Sequence, residues 1–238
     1  MEHERILVIA AHPDDTEFFT AGSAAKWVRA GRRVEYCIST SGEKGFTGEA
    51  GRALSTEERW AIREEEQRAA ARIVGVETLT FLRHVDGELE NTPALRRDLV
   101  RVIRRARPGL VIAEDPAMSA YDSFYGYHSD HRVIAQAVFD ALYPAAGNEN
   151  YFPELIEEEG LAPFSPKEAY FGHAFHGANV WEDITETFDL KIRALACHKS
   201  QIEDIDELTP ILRDWAKRAG EGEGLACAEA FRSLKVPQ

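Results

Sequence analysis

The chain has 238 residues, 44% apolar and 29% charged, a composition able to bury one large core without disulfide or metal staples. Acidic residues outnumber basic ones 41 to 28, a formal charge of −13, which argues against general binding to nucleic-acid phosphates. No run of about 18 apolar residues occurs, so no membrane-spanning helix is expected.

The charged start, Met1-Glu2-His3-Glu4-Arg5, leads directly into an apolar segment with no signal-peptide pattern. Cys37, Cys197 and Cys227 are scattered, as expected of reduced thiols in a cytoplasmic protein. Ile6 to Ala10 is a short apolar run, which places strand one over 5–11. Glu17 to Ala30 reads as a helix stopped by Gly31, and Arg33 to Ser39 as strand two. The loop from Thr40 to about Ser55 carries Gly42, Gly45, Gly48 and Gly51 and reads as a linker or a substrate-facing lid. Thr56 to Val74 is a helix capped by Ser55 or Thr56 and closed by Gly75.

Thr78 to Leu82 is strand three, and Thr92 or Pro93 to Ala106 a helix on which Arg101, Arg104, Arg105 and Arg107 form a solvated face. Leu110 to Ala113 is strand four, followed by a helix from His131 to Leu142. A less regular region occupies about 144–167, within which Asn148 to Pro166 reads as insertion-like rather than as a linker between domains. Glu168 to Phe171 and Asn179 to Trp181 read as late strands, and 186–200 as a helix. The alternation predicts a single α/β domain over 1–238, with a mostly parallel sheet covered by helices on both faces.

Two polar clusters stand at predicted strand ends, where open α/β sheets carry their chemistry. The first is Ala11-His12-Pro13-Asp14-Asp15-Thr16-Glu17-Phe18; the second is Tyr127-His128-Ser129-Asp130-His131-Arg132. His12 and Asp15, three apart across a strand-to-helix turn, can reach one point, and His131 would supply a third ligand. Three protein ligands leave a divalent metal open to water, as in catalytic zinc sites. Taken singly, Asp15 also reads as a helix cap and His12 as a packed core histidine. Asp14 can accept a proton from water. His128 can protonate a leaving amine or hold an oxyanion. Asp130 can orient an imidazole, cap the helix, or do both. His198 reads as a structural hydrogen-bonding group, and His173 and His176 receive no role.

Ala-His-Pro-Asp-Asp-x-Glu with His-x-Asp-His resembles the PIG-L/LmbE family of zinc-dependent N-deacetylases. Further similarity runs through Thr40-Ser41-Gly42-Glu43-Lys44-Gly45, Arg63-x-x-Glu66, Asp86-Gly87, Arg107-Pro108, His198-Lys199-Ser200-Gln201 and Ala228-Glu229-Ala230-Phe231. The resemblance implies a Rossmann-like fold, Zn²⁺ held by His12, Asp15 and His131, and Asp14 as general base. It implies His128 as acid or electrostatic stabiliser, and removal of an N-acetyl or other N-acyl group from an amino sugar or glycoconjugate. Arg63 and Asp86 match sugar-contacting positions, although Arg63 paired with Glu64 or Glu66 on the surface is an alternative. Some relatives carry a tyrosine two residues before the position of His128; here Gly126 stands there, between Tyr125 and Tyr127. Relatives often form trimers or hexamers, so a homo-oligomer is expected.

Two other functions remain open on these residues. One is a non-catalytic metal- or sugar-binding member of the same fold, and the other a non-haem Fe(II) oxygenase built on two histidines and a carboxylate. A nicotinamide dehydrogenase ranks last, because no G-x-G-x-x-G follows strand one.

Overall fold

Among the described residues, seven strands form one sheet in the order β3-β2-β1-β4-β5-β7-β6: β1 (Arg5–Ala10), β2 (Arg33–Thr40), β3 (Thr78–His84), β4 (Leu110–Glu114), β5 (Glu168–Gly172), β6 (Val180–Asp183) and β7 (Ala228–Lys235). The computed structural model describes residues 4–117, 128–172 and 177–238. β1 to β5 run parallel, and β7 lies antiparallel between β5 and β6. The helices are α1 (Asp15–Phe19), α2 (Ala21–Arg29), α3 (Gly48–Ala53), α4 (Thr56–Val74), α5 (Pro93–Ala106), α6 (Ser129–Asp140), α7 (Glu154–Glu157), α8 (Phe188–Leu195) and α9 (Ile205–Gly220). No described helix is long and apolar enough to cross a membrane.

β1 is apolar from Ile6 to Ala10 because both of its faces are covered there. Successive side chains point to opposite faces. Leu7 and Ile9 therefore join Leu99 and Ile103 of α5 and Ile134 and Val138 of α6. Ile6 and Val8 join Ala24 and Trp27 of α2 and Ala70 and Val74 of α4. β1 pairs with β2 on one side and β4 on the other, so the chain leaves these central neighbours in opposite directions. The crevice at their carboxyl ends is the switch point at which such sheets bind ligands.

The helix expected over Glu17 to Ala30 is broken at Thr20, whose backbone lies at φ −146°. The cause is a buried ion pair from distant elements. Glu229 of β7 accepts the amide hydrogens of Gly22 (3.1 Å) and Ser23 (2.8 Å), which a continuous helix would spend on the carbonyls of Phe18 and Phe19. Lys191 of α8 donates to Glu229 (2.7 Å) and to the Phe18 carbonyl (2.7 Å). The carboxylate thus sits at the positive N-terminus of α2.

Other departures are smaller. The glycine-bearing loop contains a 3-10 turn at Glu43–Gly45 and α3. The helix expected over 186–200 contracts to Phe188–Leu195, and α9 and β7 were not anticipated: Pro210 stands inside α9, and the alternation of β7 is interrupted by charge. The arginine face is not uniformly solvated. Arg104 is 1% exposed and donates to the carbonyls of Ala145, Ala146, Asn148 and Tyr151, tying the 141–151 segment to α5.

Candidate active site

The turn after β1 is held by Thr40 and Asp15. The Ala11 carbonyl accepts from the Thr40 amide (2.8 Å) and Oγ1 (3.0 Å), fixing the end of β1 to that of β2. Asp15 folds back so that Oδ2 accepts the His12 amide hydrogen at 2.7 Å, which leaves it no helix-capping role. Between them Asp14 adopts φ 91°, ψ −30°, a backbone that costs a non-glycine residue about 1–3 kcal/mol.

This turn presents Asp15 and His12 to His131 on the first turn of α6. His12 Nδ1 lies 3.2 Å from His131 Nε2 and 3.4 Å from Asp15 Oδ2, and His131 Nε2 lies 3.2 Å from Asp15 Oδ1. Donors about 2.0–2.1 Å from a tetrahedral zinc stand about 3.4 Å apart, so the spacing of these three fits a common metal ion. Among the described residues, overlapping sets of donor atoms within 4.8 Å also bring in His128, Asp86, Asp130 and Glu114, each set sharing His12 or His131. They form one connected centre.

The outer nitrogens of both imidazoles face carboxylates. His12 Nε2 lies 3.1 Å from Asp86 Oδ1 and 3.2 Å from Asp130 Oδ2; His131 Nδ1 lies 3.4 Å from Glu114 Oε2. Carboxylates so placed fix the ring orientation of a metal-binding histidine. Asp130 also accepts from the amides of Gly87 (2.7 Å) and Leu89 (3.3 Å), whereas the cap of α6 is His128, whose Nδ1 accepts from the Asp130 amide (3.3 Å). The N-cap reading of Asp130 therefore fails, and its orienting contact stands.

The electrostatics describe a cavity with surplus negative charge. Burial opposes a charged His12, yet the hydrogen bonds it donates to Asp130, Asp15 and Asp86 carry it well above its usual pKa. His131 is likewise disfavoured by burial but raised to about 9 by Asp15 and Glu114. Burial opposes the Asp15 carboxylate, and the two imidazoles overcome it, holding that group well below the usual range. Burial pushes Glu114 up to about 7. Burial, and then the neighbouring His12 and His131, lower His128, which is exposed at the mouth with its ring centroid 5.0 Å from that of His12.

Arg63 is buried beneath Asp14 and forms no surface pair with Glu64 or Glu66. Its Nη1 and Nη2 each lie 3.2 Å from Asp14 Oδ2, and Nη2 donates to the Pro13 carbonyl at 2.7 Å. Gly42, at φ +64°, makes room for it, since a Cβ there would stand 2.7 Å from Arg63 Nε. Burial raises the Asp14 carboxyl against the pull of Arg63. Asp86 is fixed by the amide of Lys44 (2.7 Å) and by its own amide on Glu43 Oε1 (2.9 Å). His198 contacts Glu17 (3.2 Å), both fully buried and away from the donor cluster. Tyr125, Tyr127, His173 and His176 lie outside the described residues. Glu114 was missed, although a carboxylate closing the apolar strand Leu110-Val111-Ile112-Ala113 was a readable signal. Gln67, four residues after Arg63 on the same face of α4, carried no such signal.

The family match to PIG-L, described as GlcNAc-PI de-N-acetylase, covers residues 7–142, more than half the chain and both polar clusters. The chain belongs to the PIG-L family. Within that similarity, the diacetylchitobiose deacetylase of Thermococcus kodakarensis is 35% identical over 233 residues, covering 96% of this chain and 82% of its own. A probable N-acetyl-alpha-D-glucosaminyl L-malate deacetylase 2 of Bacillus anthracis is 30% identical over 204 residues, covering 84% and 83%. In structure, the N,N'-diacetylchitobiose deacetylase of Pyrococcus horikoshii superposes with a TM-score of 0.87 at 31% identity, covering 98% of this chain and 84% of that one. The mixed sheet and its crevice are those of the PIG-L fold.

Proposed function

We propose that this protein is a zinc-dependent amide hydrolase that removes an N-acetyl group from an amino sugar or its conjugate. The observation that carries the reading is the triangle of His12 Nδ1, Asp15 and His131 Nε2 at 3.2–3.4 Å, with the Asp14 carboxylate next in sequence. The named relatives, deacetylases of diacetylchitobiose and of an N-acetylglucosaminyl malate, support the same substrate class.

His12, Asp15 and His131 would hold the zinc, with Asp86, Asp130 and Glu114 fixing the imidazoles. Bound there, zinc supplies a Lewis acid for the amide carbonyl and lowers the pKa of water to about 7. Asp14 takes the proton from water as its oxygen bonds to the amide carbon, while Arg63 keeps the carboxylate aimed. His128, exposed beside His12, would face the developing oxyanion as an imidazolium, a form that its lowered pKa makes the minority one near neutral pH. The carbon–nitrogen bond then breaks, the amine takes a proton from His128 or Asp14, and acetate and the free amino sugar leave. Arg63 and Asp86 are the positions assigned to the sugar, and both are buried and bonded within the protein.

A non-catalytic reading leaves the strained Asp14 backbone, gripped by a buried arginine, without purpose. The same reading takes residues 1–238 as one catalytic domain, located in the cytoplasm and assembled as a trimer or hexamer, which light scattering would check. The deciding experiment measures acetate release by the zinc-loaded protein from N-acetylglucosamine, diacetylchitobiose and N-acetylglucosaminyl conjugates, with Asp14→Ala as control. Release abolished by that substitution supports the proposal, and no release from any of them overturns it. Replacing zinc by Fe(II), with oxygen uptake monitored, tests the oxygenase alternative.

A further inference from the structure

The strained turn at Asp14 has two anchors, of which Arg63 grips only the carboxylate and the preceding carbonyl. The backbone amide of Asp14 is taken by another residue: it donates to Gln67 Oε1 at 2.9 Å. Gln67 is fully buried on α4. Its Nε2 lies 3.1 Å from both carboxylate oxygens of Glu17 and 3.3 Å from Thr16 Oγ1. Glu17 in turn accepts from Thr16 Oγ1 (2.9 Å) and contacts His198 Nε2 (3.2 Å), all three groups being buried.

This chain of bonds orients the Gln67 carboxamide. A flipped amide would set its NH₂ against the Asp14 N–H and its carbonyl against the Glu17 carboxylate, two mismatches among fully buried groups. The orientation is therefore dictated by Glu17, and the acceptor it offers selects the backbone rotation that Asp14 adopts. An amide at φ 91° needs such a partner, because the alternative extended backbone would swing the carboxylate away from Arg63.

We infer that Gln67 is a positioning residue for the Asp14 carboxylate, held in register by the buried Glu17–His198 pair. The inference rests on the proposed role of Asp14 in deacetylation, but its physical content is separate: Gln67 sets the geometry of the turn whatever the reaction.

Gln67→Met keeps the side-chain volume and removes both polar ends. The zinc-loaded variant should lose about 10–100-fold in kcat, the scale on which outer partners act, with KM within about twofold and one zinc retained per chain. Hydrogen exchange at the Asp14 amide should quicken at least tenfold, while amides in the middle of α4 keep their rates. Gln67→Glu should also fail, because it opposes a carboxylate to Glu17. The double exchange Glu17→Gln with Gln67→Glu restores a donor–acceptor match and should recover at least tenfold over Gln67→Glu alone. A Gln67→Met enzyme with wild-type kcat, unchanged Asp14 exchange, or a double variant no better than the single one would each overturn the inference. If the wild type releases no acetate at all, the proposed function falls, and the exchange measurement alone decides the role of Gln67.

Discussion

His12 Nδ1 and His131 Nε2 face each other at 3.2 Å although 119 residues separate them in the chain. Two imidazole nitrogens turned inward at that distance, with Asp15 beside both, need a proton or a metal ion between them. His131→Ala should therefore lower zinc affinity by more than the 10–100-fold typical of losing an outer partner. Asp130→Asn, which disturbs the outer nitrogen of His12 and the Gly87 and Leu89 amides but removes none of the three proposed ligands, should fall within that range. Competition against a chromophoric chelator measures both, and equal effects would contradict the division of roles.

Zinc must displace the protons that the surrounding carboxylates keep on these imidazoles. His131 is raised to about 9 by Asp15 and Glu114 despite burial, so it is protonated at pH 7 in the metal-free protein. Since only the neutral ring binds metal, affinity should rise about tenfold per pH unit for each proton released up to about pH 9, then flatten. His12, raised in the same direction, shares that one proton across the 3.2 Å contact, so the pair gives a single tenfold step per pH unit. Titrations at pH 6, 7, 8 and 9 would show this, and a flat profile would refute it.

Asp14→Asn isolates the base. Asparagine has the size of aspartate and tolerates positive φ, so the turn should survive and zinc should stay bound. Turnover should fall by about 10²–10⁴, the usual contribution of general base catalysis. Metal analysis alongside steady-state kinetics separates loss of the base from loss of the site.

The two site clusters were legible because each is local. His12, Asp14 and Asp15 share one strand-to-helix turn, and Asp130 and His131 open one helix. The parallel neighbours β1, β2 and β3 then follow from successive α/β crossovers, whereas β4 reaches β1 only by a connection that passes both β2 and β1. What the sequence hid are bonds made across great separations. Gly22 and Glu229 stand 207 positions apart, and nothing near Gly22 announces that its amide leaves the helix. Arg104 looked like its solvated neighbours because burial of one arginine on a helix depends on what the 141–151 segment offers it. Arg63 was readable as a surface ion pair because Glu64 and Glu66 are adjacent, whereas its partner Asp14 is 49 residues away.

Gly42→Ala should reach the active site without touching substrate. Its new Cβ would stand 2.7 Å from Arg63 Nε and 2.9 Å from Nη2, displacing the group that aims Asp14. Left-handed backbone alone costs an alanine about 1–2 kcal/mol. Gly160, at φ +68° with nothing within 4 Å, provides the control for that cost. Both alanine variants should bear the backbone cost, with Gly42→Ala losing more through its clash with Arg63, and only Gly42→Ala should lose activity, by about tenfold, since small misplacements of a catalytic group reach 10²-fold. Equal kinetics in the two would show that Arg63 is not held by the space at Gly42.

The break between α1 and α2 depends on the Glu229–Lys191 pair, and this can be tested through stability. Glu229→Ala leaves the Lys191 ammonium buried beside the Phe18 carbonyl and strips the partners from the Gly22 and Ser23 amides. Removing one member of a buried pair typically costs about 3–5 kcal/mol. For a chain of this size that corresponds to a Tm lower by roughly 6–20 °C. Lys191→Met combined with Glu229→Ala removes the stranded charge, so the double variant should be more stable than the sum of the single changes predicts. Strict additivity, measured by calorimetry, would mean that the two side chains stabilise the kink independently and that the helix break has another cause.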